Sequence, residues 1–216
     1  HASGDMDRYI KETQKAMCVC GFFSNVAFAG FLALGRLYFR LWLPNQDYEY
    51  LYLLAVVSVM GSLMAGISQP IYYVNTLTLK NKLPCWITII SGFINVLSMW
   101  LLLKYTHLGS VVVVGTTSVL MFFINLFFNP IYSAKCIGVS AKVFYKVIVR
   151  HLASAAIMML MCKGIADVIN PEGWIGLLAS AIVMVGVALC IHMTVMAGIK
   201  TVVSIVKSKV KRYAKG

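Results

Sequence analysis

Six apolar runs, each near or above the ~20 residues a helix needs to cross a bilayer, constrain this chain more than any other feature. They extend from Met17 to Phe39, Tyr50 to Thr76, Pro84 to Leu103, Gly109 to Ser133, Val149 to Ala166 and Trp174 to Gly198. The charges between them test the count. Arg8, Lys11, Lys15, Lys80, Lys82, Lys135, Lys142, Lys146, Arg150, Lys200, Lys207, Lys209, Lys211, Arg212 and Lys215 fall before the first run, in the second and fourth connections, or after the last. Only Arg36, Arg40, Lys104 and Lys163 fall on the opposite side. The acids divide as Asp5, Asp7 and Glu12 against Asp47, Glu49, Asp167 and Glu172, so the whole net charge of +12 belongs to one face. One span too many or too few would have scrambled that partition. By the positive-inside rule the basic face is cytoplasmic, and both termini are expected there.

Composition agrees. Hydrophobic residues make up 60% of the chain and charged ones 12%, against about 25% charged in a soluble domain. The fold class is therefore all-α integral membrane, a multi-pass bundle of six transmembrane helices. The basic excess belongs to loops that face anionic membrane lipids, and no soluble domain remains to bind nucleic acid. Three regions follow: a charged lead-in helix over 1–16, a membrane domain over 17–198, and a basic tail over 199–216. In the tail Ile199, Val202, Val203, Val206 and Val210 share one helical face that excludes Lys200, Lys207 and Lys211, as in a helix lying on the cytoplasmic leaflet. His1 to Lys15 shows no signal-peptide pattern, and the absent initiating methionine leads us to expect more chain upstream.

The six cysteines, Cys18, Cys20, Cys85, Cys136, Cys162 and Cys190, lie in or at the ends of spans, with no pair in the outer loops. Cys18 and Cys20 would need further ligands close by to hold a metal, so all six are read as packing residues and no metal or cofactor is expected. His1, His107, His151 and His192 are dispersed along the chain, and no carboxylate sits in the middle of a span. A membrane hydrolase or transferase would need such groups clustered. Neither catalytic residues nor an enzyme activity are expected.

Polar residues inside the spans recur at helical spacing. Span two carries Ser58, Ser62, Ala65, Gln69 and Tyr72; span three Thr88, Ser91, Asn95 and Ser98; span four Gly115, Ser118, Phe122, Asn125 and Asn129. Lipid cannot hydrogen-bond these groups, so each stripe should face other helices or a wet cavity. Pro70 should bend span two. The connection from Lys135 to Arg150 has room for a short interfacial helix, and Lys163 limits the length of span five.

Four stretches carry a family resemblance: Gly35 to Pro44 around Leu41-Trp42-Leu43; Gln69-Pro70 followed by Lys80-Asn81-Lys82; Ile94-Asn95-Val96-Leu97-Ser98; and Leu108-Gly109 leading to Gly115-Thr116-Thr117. In order, spacing and topology the chain resembles the C-terminal portion of polysaccharide-type flippases, the O-antigen and lipid-linked oligosaccharide branch of the multidrug, oligosaccharidyl-lipid and polysaccharide exporters. The match covers about residues 5 to 150, and the last two spans more loosely. It departs at Pro44, where the family commonly has glycine, and along Ser110 to Val114, where it usually has another small residue.

The resemblance implies half of a two-lobed bundle in the bacterial inner membrane, whose partner is the missing N-terminal lobe of the same protein. It implies transport of undecaprenyl-diphosphate-linked oligosaccharide, with the polar head in a hydrated, cationic cavity. Arg36 would contact phosphate, and Arg40 more weakly; either could instead snorkel to the outer headgroups. Gln69, Asn95 and Asn125 could bond sugar hydroxyls, or tie helices together at ~0.6 kcal/mol each. Lacking an embedded Asp or Glu, this half would leave energy coupling to the other lobe or to the membrane potential. The alternatives are a multidrug exporter of the same superfamily and a membrane assembly subunit without transport activity.

Overall fold

The structure, a computed structural model, describes residues 6–197; the tail expected over 199–216 lies outside them. It is all-helical among the described residues: α1 Met6–Trp42, α2 Tyr48–Leu77, α3 Lys82–Tyr105, α4 Ser110–Phe123, a π-helical turn Ile124–Phe128, α5 Asn129–Cys136, α6 Lys142–Ile169 and α7 Gly173–Ala197. α4, the π turn and α5 form one continuous helix, which gives six helices long and apolar enough to cross a membrane.

Local signals set the ends. Asp47 caps α2 by accepting the Tyr50 N–H at 3.0 Å. Gly138, at φ +73°, takes a backbone conformation that would strain a side chain and stops α5. α6 then starts at Lys142. The expected interfacial helix between Lys135 and Arg150 is therefore corrected: Val143 and Lys146 belong to the first turns of α6 itself. α6 also runs past Lys163 to Ile169, because the outer face on which Lys163 lies is exposed.

α1 is the axis of the bundle. It packs against α2, α6 and α7; α2 carries α4 and α5 on its other side, and α3 packs chiefly against α4 at the periphery. The buried residues of α1, Met17, Gly21, Asn25 and Phe28, recur every three or four positions and so form one stripe. Met17, Met64, Ile67, Ile71, Phe144 and Ile148 close the core between α1, α2 and α6.

In lipid an apolar surface gains little by leaving its surroundings, so helix association depends on close packing and hydrogen bonds. Both are concentrated around α1 and α2. A methyl group placed on Gly66 would stand 2.5 Å from Ser24 Cβ, on Gly21 2.7 Å from His151 Nδ1, and on Gly61 3.0 Å from the Ser118 Cα. These approaches let side chains reach backbone carbonyls on neighbouring helices. Ser24 Oγ lies 3.1 Å from the carbonyls of Ser62 and Leu63, and Ser118 Oγ donates to Ser58 O at 3.2 Å. Tyr52 donates to Leu32 O at 2.7 Å.

The π turn is built the same way. Pro130 has no N–H, so the carbonyls that would bond to it in α or π register, Leu126 and Asn125, need other donors. Tyr145 on α6 reaches Leu126 O at 3.0 Å, and Ser68 on α2 reaches Asn125 O at 2.9 Å. A defect in one helix thus becomes two bonds to its neighbours.

Both ends of the described chain lie at one end of the bundle. Gln14 donates to Val143 O at 2.9 Å, and Cys18 Sγ is 4.0 Å from Met196 Sδ. Lys80 Nζ donates to Cys136 O at 3.0 Å, bringing the α2–α3 turn to the end of α5.

Candidate functional site

α2 and α4 diverge enough to leave a groove of about 390 Å³, lined by Ser58, Ser62, Thr117 and Ser118 among apolar neighbours. Ser58, Ser62, Ala65 and Gln69 occupy one face of α2, at offsets of four, three and four residues. The face is open: Ser58, Ser62 and Gln69 are exposed, whereas the side of α2 that packs carries Gly61, Met64, Ser68, Ile71 and Asn75. The stripe expected to face helices or a cavity thus borders a groove, and the residues that tie α2 to the bundle lie beside it. Tyr72 is exposed below Gln69.

α3 adds one amide at the groove's edge. Asn95 Nδ2 donates to Thr117 Oγ1 at 3.0 Å. Ser91, Asn95 and Ser98 are half-buried, which places that part of the stripe toward α4 as the spacing suggests, whereas Thr88 is exposed. The groove therefore offers the hydroxyls of Ser58, Ser62 and Thr117, which donate and accept, while that of Ser118 is committed to Ser58 O; no charged residue lines it.

Asn125 is elsewhere. It is buried within the bundle, donates to Met121 O at 2.8 Å and accepts from Asn129 Nδ2 at 2.9 Å, so its amide is taken up in holding the π turn. Arg36 lies at the far end of the α1–α2 seam. Its Nε is 3.1 Å from Glu49 Oε2, and its guanidinium stands 5.3 Å from the centre of the Tyr52 ring. Both partners of that ion pair are more than half exposed, and such pairs contribute about 0–1 kcal/mol. Arg40 is exposed one turn farther out. The structure brings Ser58, Ser62 and Ala65 of the α2 stripe to one groove, ties Asn95 to it through Thr117, and leaves Gln69, Arg36, Arg40 and Asn125 outside its lining.

A second polar cluster was invisible to residue counting. His151 and His192, read as dispersed, are both buried against α1, His151 between it and α2 and His192 between it and α6. His192 Nε2 lies 2.9 Å from Cys18 O, which can only accept; its Nδ1 therefore accepts the Ser154 hydroxyl at 3.3 Å. His151 Nε2 likewise donates to Leu63 O at 3.1 Å, and Asn25 Nδ2 donates to His151 O at 3.1 Å. Asn25 Oδ1 and His151 Nδ1 have no protein partner. Helical period was the available signal, since His151, Ser154, Ala155, Met158 and Cys162 form the buried face of α6. The serine–histidine contact lacks exposure and a carboxylate to orient the imidazole; the cluster as a whole joins α1, α2, α6 and α7. Among the described residues no group of His, Cys, Asp and Glu is arranged to hold a metal ion, and the six cysteines are free.

No family model matches the sequence, and no solved structure matches it. Over 183 residues the chain is 24% identical to a protein of Bacillus subtilis (strain 168) named "Uncharacterized membrane protein EpsK". The alignment covers 84% of this chain and 36% of the Bacillus protein, so the chain spans about a third of that relative's length.

Proposed function

We propose that the chain is the C-terminal part of a bacterial inner-membrane flippase that moves undecaprenyl-diphosphate-linked oligosaccharide between leaflets for surface polysaccharide synthesis. Similarity to a membrane protein across most of the chain supports the setting. The α2–α4 groove carries the reading. A sugar hydroxyl stripped of water in hydrocarbon costs about 4–8 kcal/mol when nothing bonds it, and an uncharged lining of serine and threonine hydroxyls replaces those bonds without fixing one orientation. A cationic drug would call for a carboxylate at the same depth, and none lines the groove.

In this reading the sugars pass along Ser58, Ser62, Thr117 and Asn95, with Gln69 extending the path toward the basic end of α2. Arg36, released from Glu49, meets the diphosphate at the opposite end, where guanidinium geometry suits two phosphate oxygens. The second lobe closes the groove, and rocking of the two lobes exposes it to each side in turn.

The test is genetic and chemical together. Deleting the gene should abolish surface polysaccharide and accumulate lipid-linked repeat units, and Thr117→Val with Ser62→Val should reproduce much of the loss at unchanged protein level. Increased drug sensitivity with normal polysaccharide would point to a multidrug exporter. Normal polysaccharide and unaltered drug sensitivity would leave an assembly role.

A further inference from the structure

We propose that the groove where the first half of α1 meets the start of α6 and the end of α7 binds one phospholipid with an anionic headgroup. This is a site separate from the α2–α4 groove, and it stands whether or not the chain carries sugars. The cavity measures about 810 Å³ and is open along one side. Lys11, Lys15 and Arg150 converge on its rim from two helices, and no carboxylate lines it. Glu12 is held by Lys15 at 2.7 Å, and Arg150 donates to Met196 O at 3.3 Å, which fixes its guanidinium over the end of α7.

Past the rim the wall turns apolar. Val19 and Phe23 on α1 face Leu189 and Met193 on α7, and Phe23 is 66% exposed although it sits well inside the span. Lys11 to Phe23 rises about 18 Å along the helix, slightly more than the ~15 Å of hydrocarbon in one leaflet. A phosphate seated between Lys11 and Arg150, beside the Lys15–Glu12 pair, thus places an acyl chain along the whole apolar wall. Charge decides against the other occupants at hand. Residues 199–216 carry Lys200, Lys207, Lys209, Lys211, Arg212 and Lys215 with no acid, and a second copy of the chain would bring the same cations. A zwitterionic lipid gains no net attraction.

The full-length protein with its six native cysteines replaced, reconstituted at low lipid-to-protein ratio with a bimane label on Val19→Cys, reports occupancy through quenching by brominated lipid. Brominated phosphatidylglycerol should quench at a lower mole fraction than brominated phosphatidylcholine. Lys11→Gln or Arg150→Gln should each weaken that preference about five-fold, and the pair roughly twenty-five-fold, the scale of one surface cation per step. Lys142→Gln, at the same end but outside the groove, should leave it unchanged. Native mass spectrometry of unlabelled protein should show the same ranking of retained lipid, and inorganic phosphate should compete with neither readout. Equal quenching by the two lipids, or a preference unaffected by the double variant, would overturn the proposal. So would a label that is shielded without lipid and uncovered when the chain is cut after Ala197, which would identify the tail as the occupant, or displacement by free phosphate.

Discussion

α1 and α3 are equally apolar along their most hydrophobic stretches, yet the structure uses them in opposite ways. In α1 33% of that stretch is buried in the bundle; in α3 none of it is. The difference lies in what each helix offers a neighbour. α1 brings Gly21, which admits the His151 ring, and Ser24 and Asn25, which reach carbonyls on α2 and α6. α3 brings Gly92, where an added methyl would meet nothing, and one amide bonded to Thr117. Hydropathy decides that a helix enters the membrane. Small residues and directed hydrogen bonds decide whether it enters the bundle.

The contrast is sharpest for large side chains. Phe144, fully buried against α1 and α2, should lose about 3 kcal/mol on truncation to alanine, the lower end of the usual range, because lipid returns part of the transfer energy. Phe93 on α3, 73% exposed, should tolerate the same change within about 0.5 kcal/mol. Reversible unfolding in mixed micelles measures both. Equal losses would mean that α3 is packed as tightly as α1.

Glycines give the next test. Gly66→Ala and Gly21→Ala push a methyl to within 2.5 Å of Ser24 and 2.7 Å of His151 and should cost about 1–3 kcal/mol each through overpacking. Gly92→Ala and Gly186→Ala, with open space around them, should cost nothing. Thermal denaturation in detergent of the four variants side by side separates the two groups.

Single hydrogen bonds should register least. Ser68→Ala removes the donor to Asn125 O, and Ser133→Ala the donor to Asn75 Oδ1 at 2.9 Å; each should cost about 0.6 kcal/mol. Asn95→Val should cost a similar amount but act locally, raising the exchange of α3 amides while leaving α1 and α2 unchanged. A global effect of Asn95→Val would place α3 inside the cooperative unit.

The sequence made the helices legible and the faces only partly so. Spans and their ends depend on local properties: run length, Asp47 as a cap, the Asn170-Pro171 break before α7. The charge partition likewise returned six crossings. Burial depends on partners far away in the chain. Asn25 meets His151 across 126 positions, and His192 meets Cys18 across 174, so no periodicity within one helix announces either contact. Along α2 the polar stripe was visible, but the more telling residues were its neighbours Gly61, Ser68 and Asn75, which the pattern of polarity did not separate from it. The π turn was hidden for a different reason: Pro130 advertised a disturbance, while the donors that absorb it, Ser68 and Tyr145, come from other helices.

Solvent access to the α2–α4 groove decides whether it is a hydrated path. In a chain freed of its native cysteines, Ser62→Cys, Thr117→Cys and Phe93→Cys place thiols at three exposed positions, two in the groove and one on the outer face of α3. With a membrane-impermeant methanethiosulfonate, the account predicts modification at Ser62→Cys and Thr117→Cys and none at Phe93→Cys. Unreactive thiols at both groove positions would show the groove filled with lipid and contradict a hydrated sugar path.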